Sequence, residues 1–341
     1  MSEPNDRVVP VAGATVSQPP EPTALAPAVA LPAPAAVAAP AVLAAPSALP
    51  APGPAADRDL PLDAHLHTNL SPDSDVPIDI YCASAVARGI PEIAITDHVD
   101  FDPRDQAYSF ATFAEREREI REAAARWADR GLCVRFGVEV TYESRFEVEI
   151  RDHLARHPYD YAIGSVHVAA SSPYLARRVA GWVAGRSFDE IVAPYFAEVE
   201  AAIRSELFDT LGHLDYVKKY LVHHVPPAAF AARPDVYEPL LRALVETGTA
   251  LEVNASGLRQ PPGETYPPAP VVARFRALGG ARVTAGSDAH GADSFAYGLG
   301  HAYAALAAAG FEALAFRRHV GDPRAGERLE IPARVVARQG A

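Results

Sequence analysis

From Asp59 onward the chain alternates short β-branched runs with longer amphipathic stretches, and this restricts it to repeated βα units around a parallel sheet. Seven runs read as strands: Leu62 to Leu66, Ile93 to Thr96, Cys133 to Val138, Tyr161 to Val166, Thr210 to Leu214, Ala250 to Val253 and Arg282 to Ala285. Helices are expected between them at Ile78 to Arg88, Phe110 to Asp129, Phe188 to Ser205, Tyr237 to Glu246 and Pro268 to Leu278, with a last one around Ala302 to Ala309. Seven repeats fit a closed barrel. The competing arrangement, a doubly wound open sheet, usually carries a Gly-rich phosphate loop after its first strand. This chain reads His65-Leu66-His67-Thr68 there.

The texture before Asp59 is different. Residues 1–57 are Ala, Pro and Val with few charges and no aromatics, and proline recurs too often for a helix or strand to propagate. A disordered tail over 1–57 and a single catalytic domain over 58–341 are expected. A hydrophobic content of 49% in 341 residues is ample for a large core. The net charge of −12, with no cluster of Lys and Arg, argues against a nucleic-acid surface, so any affinity for phosphate must be local. Cys82 and Cys133 read as small buried hydrophobes in a helix and a strand. No apolar run of the membrane-spanning type and no basic leader segment occurs, so a cytoplasmic protein without a membrane partner is expected.

His65 and His67 stand two apart on a predicted strand, which aims both imidazoles at one face. Such a pair is weak evidence for a metal ion by itself. The other strand ends raise its weight: they run into Thr96-Asp97-His98, Gly137-Val138-Glu139, Gly164-Ser165-Val166-His167, Gly212-His213 and Gly286-Ser287-Asp288-Ala289-His290. In a closed βα barrel the carboxyl ends of all strands converge on one mouth, so these side chains would meet. The glycine that precedes four of these groups lets the backbone bend closely around an ion.

The ordered set H-x-H, T-D-H, G-x-E, G-S-x-H, G-H and S-D-A-H resembles the polymerase and histidinol phosphatase (PHP) superfamily over roughly residues 59–320. The resemblance implies an α/β fold of a distorted seven-stranded (β/α) TIM-like barrel type, with two to three divalent ions, Zn, Mn or Fe. The matching ligands are His65, His67, Asp73, His98, Glu139, His167, His213, Asp288 and His290. Asp73 stands where many members of the family have a histidine. By the same resemblance Glu139 bridges two ions, Asp288 lies beside the attacking hydroxide, and His98 and His290 hold a third ion with Asp73. Asp288, Glu139 and His98 are then the expected catalytic set.

Within the superfamily, Leu251-Glu252-Val253-Asn254-Ala255-Ser256-Gly257-Leu258-Arg259 followed by Gly263-Glu264-Thr265-Tyr266-Pro267 is similar to the histidinol-phosphatase branch. Arg259 would there offer a planar fork to the substrate phosphate. Gly212-His213-Leu214-Asp215-Tyr216-Val217-Lys218-Lys219 resembles that branch as well and puts Lys218 near the phosphate. The stretch Val168 to Pro173 departs from the aromatic, Gly-rich segment of that branch. Three readings therefore stand: hydrolysis of histidinol phosphate in histidine biosynthesis, hydrolysis of another small ester such as a nucleotide or sugar phosphate, and a non-catalytic metal-binding module. The expected partner is a small phosphorylated substrate, and the oligomeric state is left open. Asp97 reads either as a support for a ligating imidazole or as a loop cap, Glu143 and Arg145 as residues near the mouth, and His153, His157, His223, His224, His301 and His319 as structural or surface histidines.

Overall fold

The computed structural model describes residues 56–168, 171–316 and 327–337. The chain divides into two units, Met1–Val42 and Leu43–Ala341, and all described residues belong to the second. Of the tail expected over 1–57, only Ala56 and Asp57 fall within the described residues.

Seven parallel strands form the wall of the barrel: β1 (Asp63–Leu66), β2 (Glu92–Ile95), β3 (Cys133–Thr141), β4 (Tyr161–Ser165), β5 (Thr210–Leu211), β6 (Ala250–Asn254) and β7 (Val283–Gly286). Each pairs with the next in sequence order. A two-residue extension after β2, His98–Val99, runs alongside the second half of β3 and sets His98 opposite Glu139. The ring closes where the end of β1 meets the segment after β7: Asp288 N–H donates to His65 O at 2.9 Å and His67 N–H to Ala289 O at 3.0 Å. That closure excludes the open sheet.

All seven expected strands are present, and the strand Thr210 to Leu214 is the one most shortened. Its ladder stops because His213 N–H donates to the Glu252 carboxylate at 2.8 Å instead of to a neighbouring carbonyl. The expected helices also form. Ile78–Arg88 ends on Gly89, whose φ of 70° lies in the left-handed region that favours glycine. The helix expected from Phe110 starts at Phe113, because Thr112 caps it reciprocally with Glu115. Ser187 and Glu190 do the same for Phe188–Arg204. Helices at Glu147–Arg156 and Ala176–Val183 were not expected from the sequence; they are short, and each fully buries a single residue, Ile150 and Val179.

Cys82 is buried as expected, but Cys133 is exposed, since it stands at the very start of β3 where the strand enters the barrel. No helix among the described residues is long and apolar enough to cross a membrane.

Candidate metal centre

The strand ends deliver their imidazoles and carboxylates to the mouth in three groups: His67, Asp73, His98 and His290; His65, His67 and Asp288; and His98, Glu139 and His167. Glu139, almost wholly buried on β3, is the hub. Its Oε2 lies 3.2 Å from His65 Nε2, 3.3 Å from His67 Nε2 and 3.2 Å from His98 Nδ1. Its Oε1 faces another pair, 2.9 Å from His213 Nε2 and 3.5 Å from His167 Nε2. Asp288 Oδ1 stands 3.4 Å from His67 Nε2 and 3.4 Å from His290 Nδ1. Asp73 Oδ2 lies 2.9 Å from His290 Nε2 and 3.3 Å from His98 Nε2.

The residues fit divalent ions. His65 Nε2 and His67 Nε2 sit on fully buried rings and make no hydrogen bond, although carboxylate oxygens stand close by. Orphaned buried polar atoms are costly unless something else satisfies them. Donors each about 2.1 Å from a tetrahedral cation stand roughly 3.4 Å apart, close to the spacings here. The opposite ring nitrogens are anchored in a way that turns the free lone pair inward: His65 Nδ1 lies 2.7 Å from Glu252 Oε1, His167 Nδ1 2.8 Å from Thr141 Oγ1 and His290 Nδ1 3.0 Å from the Asp288 carbonyl.

The electrostatics agree. Burial works against a charged His65, yet Glu139, Glu252 and Asp288 outweigh it and hold its pKa well above the usual imidazole value. Burial likewise disfavours an ionised Glu139, but His65, His98 and His167 pull its pKa well below the ordinary carboxylate range. His67 is pushed down to about 3 by burial and by the neighbouring His290 and His98. The carboxylates that hold a proton on His65 would hold a cation in its place, so cation binding should release protons and weaken in acid.

A cavity of about 660 Å³ opens over this cluster. Asp73, His98, Glu139, His167, Asp288 and His290 line it, together with Lys219, Arg259, Tyr216 and Tyr220.

Residues 63–256, more than half of the chain, match the family model described as the PHP domain. The chain belongs to the PHP domain family. It is 28% identical over 261 residues to the histidinol-phosphatase of Lactococcus lactis subsp. lactis (strain IL1403), a match covering 74% of this chain and 93% of that protein. It is 30% identical over 267 residues to a protein of Deinococcus radiodurans named probable histidinol-phosphatase, covering 76% and 98%. The crystal structure of histidinol phosphate phosphatase from L. lactis subsp. lactis Il1403, complexed with Zn, L-histidinol and phosphate, is similar with a TM-score of 0.63 at 27% identity, over 75% of this chain and 96% of that one.

In this PHP domain all nine expected ligand residues meet at the mouth; His213 joins through Glu139 and lies 3.3 Å from His167. Arg259 lines the cavity and also grips the ligand loop, donating to the carbonyls of Ser287 and Asp288. Lys218 does not face the cavity. It is buried, with its ammonium 2.6 Å from both Asp215 and Glu264, and the lysine that lines the cavity is its neighbour Lys219, held 2.5 Å from the Tyr216 hydroxyl. Within a single helical turn, one position decides which lysine turns inward. Asp97 supports no imidazole; it takes the N–H and hydroxyl of Thr68 at 2.6 and 2.9 Å and so fixes the chain after His67.

Glu143 and Arg145 pair with each other, and Arg145 also holds Asp102. His153 and His157 pack beside Tyr159 and Phe113, and His223 and His224 are exposed. His301 is half-buried, and His319 lies outside the described residues. Sequence reasoning gave no role to Glu252, Asn254, Ser71, Thr141 or Lys219, all of which touch a ligand residue or line the cavity. The signal for the first two was present: Glu252 and Asn254 stand two apart on a strand, like His65 and His67.

Proposed function

We propose that this PHP domain is a metal-dependent phosphomonoesterase that hydrolyses histidinol phosphate, a cytoplasmic step of histidine biosynthesis. The observation that carries the reading is the convergence of nine imidazoles and carboxylates beneath a cavity that also presents Lys219 and Arg259. A phosphate monoester is a dianion that repels hydroxide, so a hydrolase must neutralise it and acidify water. Clustered divalent ions supply both when bound.

The grouping suggests three sites. His65, His67, Glu139 and Asp288 would hold one ion, Glu139, His167 and His213 a second, and Asp73, His98 and His290 a third. Mixed imidazole and carboxylate donors of this kind accept Zn, Mn or Fe. Six positive charges against the three of Glu139, Asp288 and Asp73 would leave the mouth cationic in an acidic protein, which makes the pocket a local anion trap. Arg259 spends two of its N–H groups on the carbonyls of Ser287 and Asp288, and the guanidinium has donors left for a phosphate oxygen. Lys219 adds a second cation at the rim. Asp288, Glu139 and His98 are the proposed catalytic set, with Asp288 poised between the first group and His290.

The test is phosphate release from histidinol phosphate by the purified full chain with Mn or Zn, beside a panel of nucleotides and sugar phosphates. A kcat/KM above roughly 10⁴ M⁻¹ s⁻¹ and a strong preference for histidinol phosphate support the reading. Preference for another ester keeps the metal chemistry and discards the substrate, and no release with any metal discards both.

A further inference from the structure

Six of the seven strands lead into a proposed ligand: β1 into His65 and His67, β2 into His98, β3 into Glu139, β4 into His167, β5 into His213, and β7 into Asp288 and His290. β6 contributes none. It places two other polar side chains in the barrel interior, Glu252 and Asn254, both fully buried.

Among the described residues Glu252 has no lysine or arginine partner; its hydrogen-bond partners are His65, His213 and Asn254. One oxygen takes His65 Nδ1 at 2.7 Å. A carboxylate only accepts, so Nδ1 carries a proton, and Nε2, facing Glu139, is the nitrogen that would exchange its proton for a cation. The other oxygen takes His213 N–H at 2.8 Å and Asn254 Nδ2 at 3.1 Å. The Asn254 amide is itself oriented, because its oxygen accepts Ser256 N–H at 2.9 Å, and this turns the nitrogen toward Asp288 Oδ2 at 3.3 Å as well.

The neighbouring strands make room for this carboxylate. A Cβ on Gly286 of β7 would stand 2.8 Å from Glu252 Oε1 and 2.4 Å from the His65 Cβ, and one on Gly212, just after β5, would stand 2.4 Å from Ser165 Oγ and 3.5 Å from Glu252 Oε2. Gly286 leaves space in which no side chain could sit without displacing Glu252 or the His65 beside it, whereas at Gly212 a side chain would first displace Ser165 and Ile163.

We infer that Glu252, assisted by Asn254, is the positioning residue of the metal centre: it fixes the tautomer of His65, the backbone of His213 and, through Asn254, the carboxylate of Asp288. Resting on the metal-centre reading above, this assigns β6 the task of aligning ligands from three other strands. The hydrogen bonds of Glu252 run to His65, His213 and Asn254, while Asp73 pairs with His98 and His290.

The experiment is competition for Zn between the full-length protein and a chromogenic chelator, for the parent and for Glu252→Gln, with circular dichroism as a check on folding. The amide of Gln cannot accept from both His65 and His213, since one of its two ends is a donor. The expected result is a folded variant whose Zn bound through His65 and His213 is held about 10- to 100-fold more weakly, while the ion bound by Asp73, His98 and His290 keeps its affinity. A variant that titrates like the parent, or one that weakens every ion alike, overturns the inference. Histidine ¹⁵N NMR of the Zn-loaded parent needs no variant: His65 should carry its proton on Nδ1, and a bare Nδ1 also overturns it. A parent that binds no Zn would instead overturn the proposed function.

Discussion

Strand β3 crosses both ends of the barrel, and the two charged residues it buries four positions apart live in opposite circumstances. Near the base, Arg135 is matched by acids, bonding to Glu92 and, at 2.8 Å, to Glu327. Near the mouth, Glu139 is surrounded by His65, His67, His98, His167 and His213, and several of those ring nitrogens have no hydrogen bond. The base holds its own counter-charges, whereas the mouth is arranged for charges that come from outside. The same strand thus serves stability at one end and chemistry at the other, as expected of a βα barrel.

Mutations can break that contrast. Asp288→Ala, at the mouth, should cost at least about 10³-fold in kcat, measured as phosphate release under saturating metal, with the metal-free protein still folded. Retained turnover would refute the assignment of the site. At the base, Arg135→Met leaves Glu92 and Glu327 without their buried cation and should cost about 3–5 kcal/mol, a fall in Tm on the order of 10 °C, with kcat of the folded protein unchanged. A loss of kcat without a loss of Tm would erase the distinction between the two ends.

The adjacent lysines sharpen the same contrast within one turn. Lys219→Met should raise KM for a phosphate ester about 10-fold at constant Tm, through the loss of one charge-assisted contact. Lys218→Met should do the reverse, lowering Tm by stranding Asp215 and Glu264 while leaving KM alone.

The smallest effect belongs to the outer wall. Burial, then His157, Arg116 and Arg156, push His153 down to about 4. Between that value and the unfolded value of about 6.5, the unfolded chain binds a proton that the native His153 refuses. Stability is therefore full above about 6.5 and is lost as pH falls toward 4. Urea unfolding of the metal-free protein at pH 4.5 and pH 7 should show about 1–2 kcal/mol less acid loss in His153→Phe than in the parent. Equal losses would show that the native ring titrates normally.

The barrel and the ligand set were legible because both are written in strand-end chemistry. A buried parallel strand reads as a short apolar run, and an imidazole or carboxylate directly after it has one place to go. Lys218 and Lys219 were not separable, because a four-residue helix, Lys218–Leu221, has too little periodicity to say which side faces in. Glu252 was readable as a polar strand residue two before Asn254 and as part of a family-like motif, but its partners were not. Its role depends on Gly286 of the neighbouring strand and on a backbone N–H from β5's end, neither of which is adjacent in sequence. Cys133 was misplaced because a strand's first residue protrudes from the wall that its neighbours enter.

Asp57, at the start of the described domain, accepts the N–H groups of Gly298 and Gly300 with its buried carboxylate, across 241 and 243 residues of sequence. Those two glycines begin the helix Leu299–Ala308, so the first and last parts of the barrel unit share one set of hydrogen bonds. Fraying cannot begin quietly at the leading edge: releasing Asp57 uncaps a helix at the far end of the chain. The amides of Gly298 and Gly300 should therefore exchange with deuterium at the slow rate of the barrel strands, through cooperative opening of the whole unit.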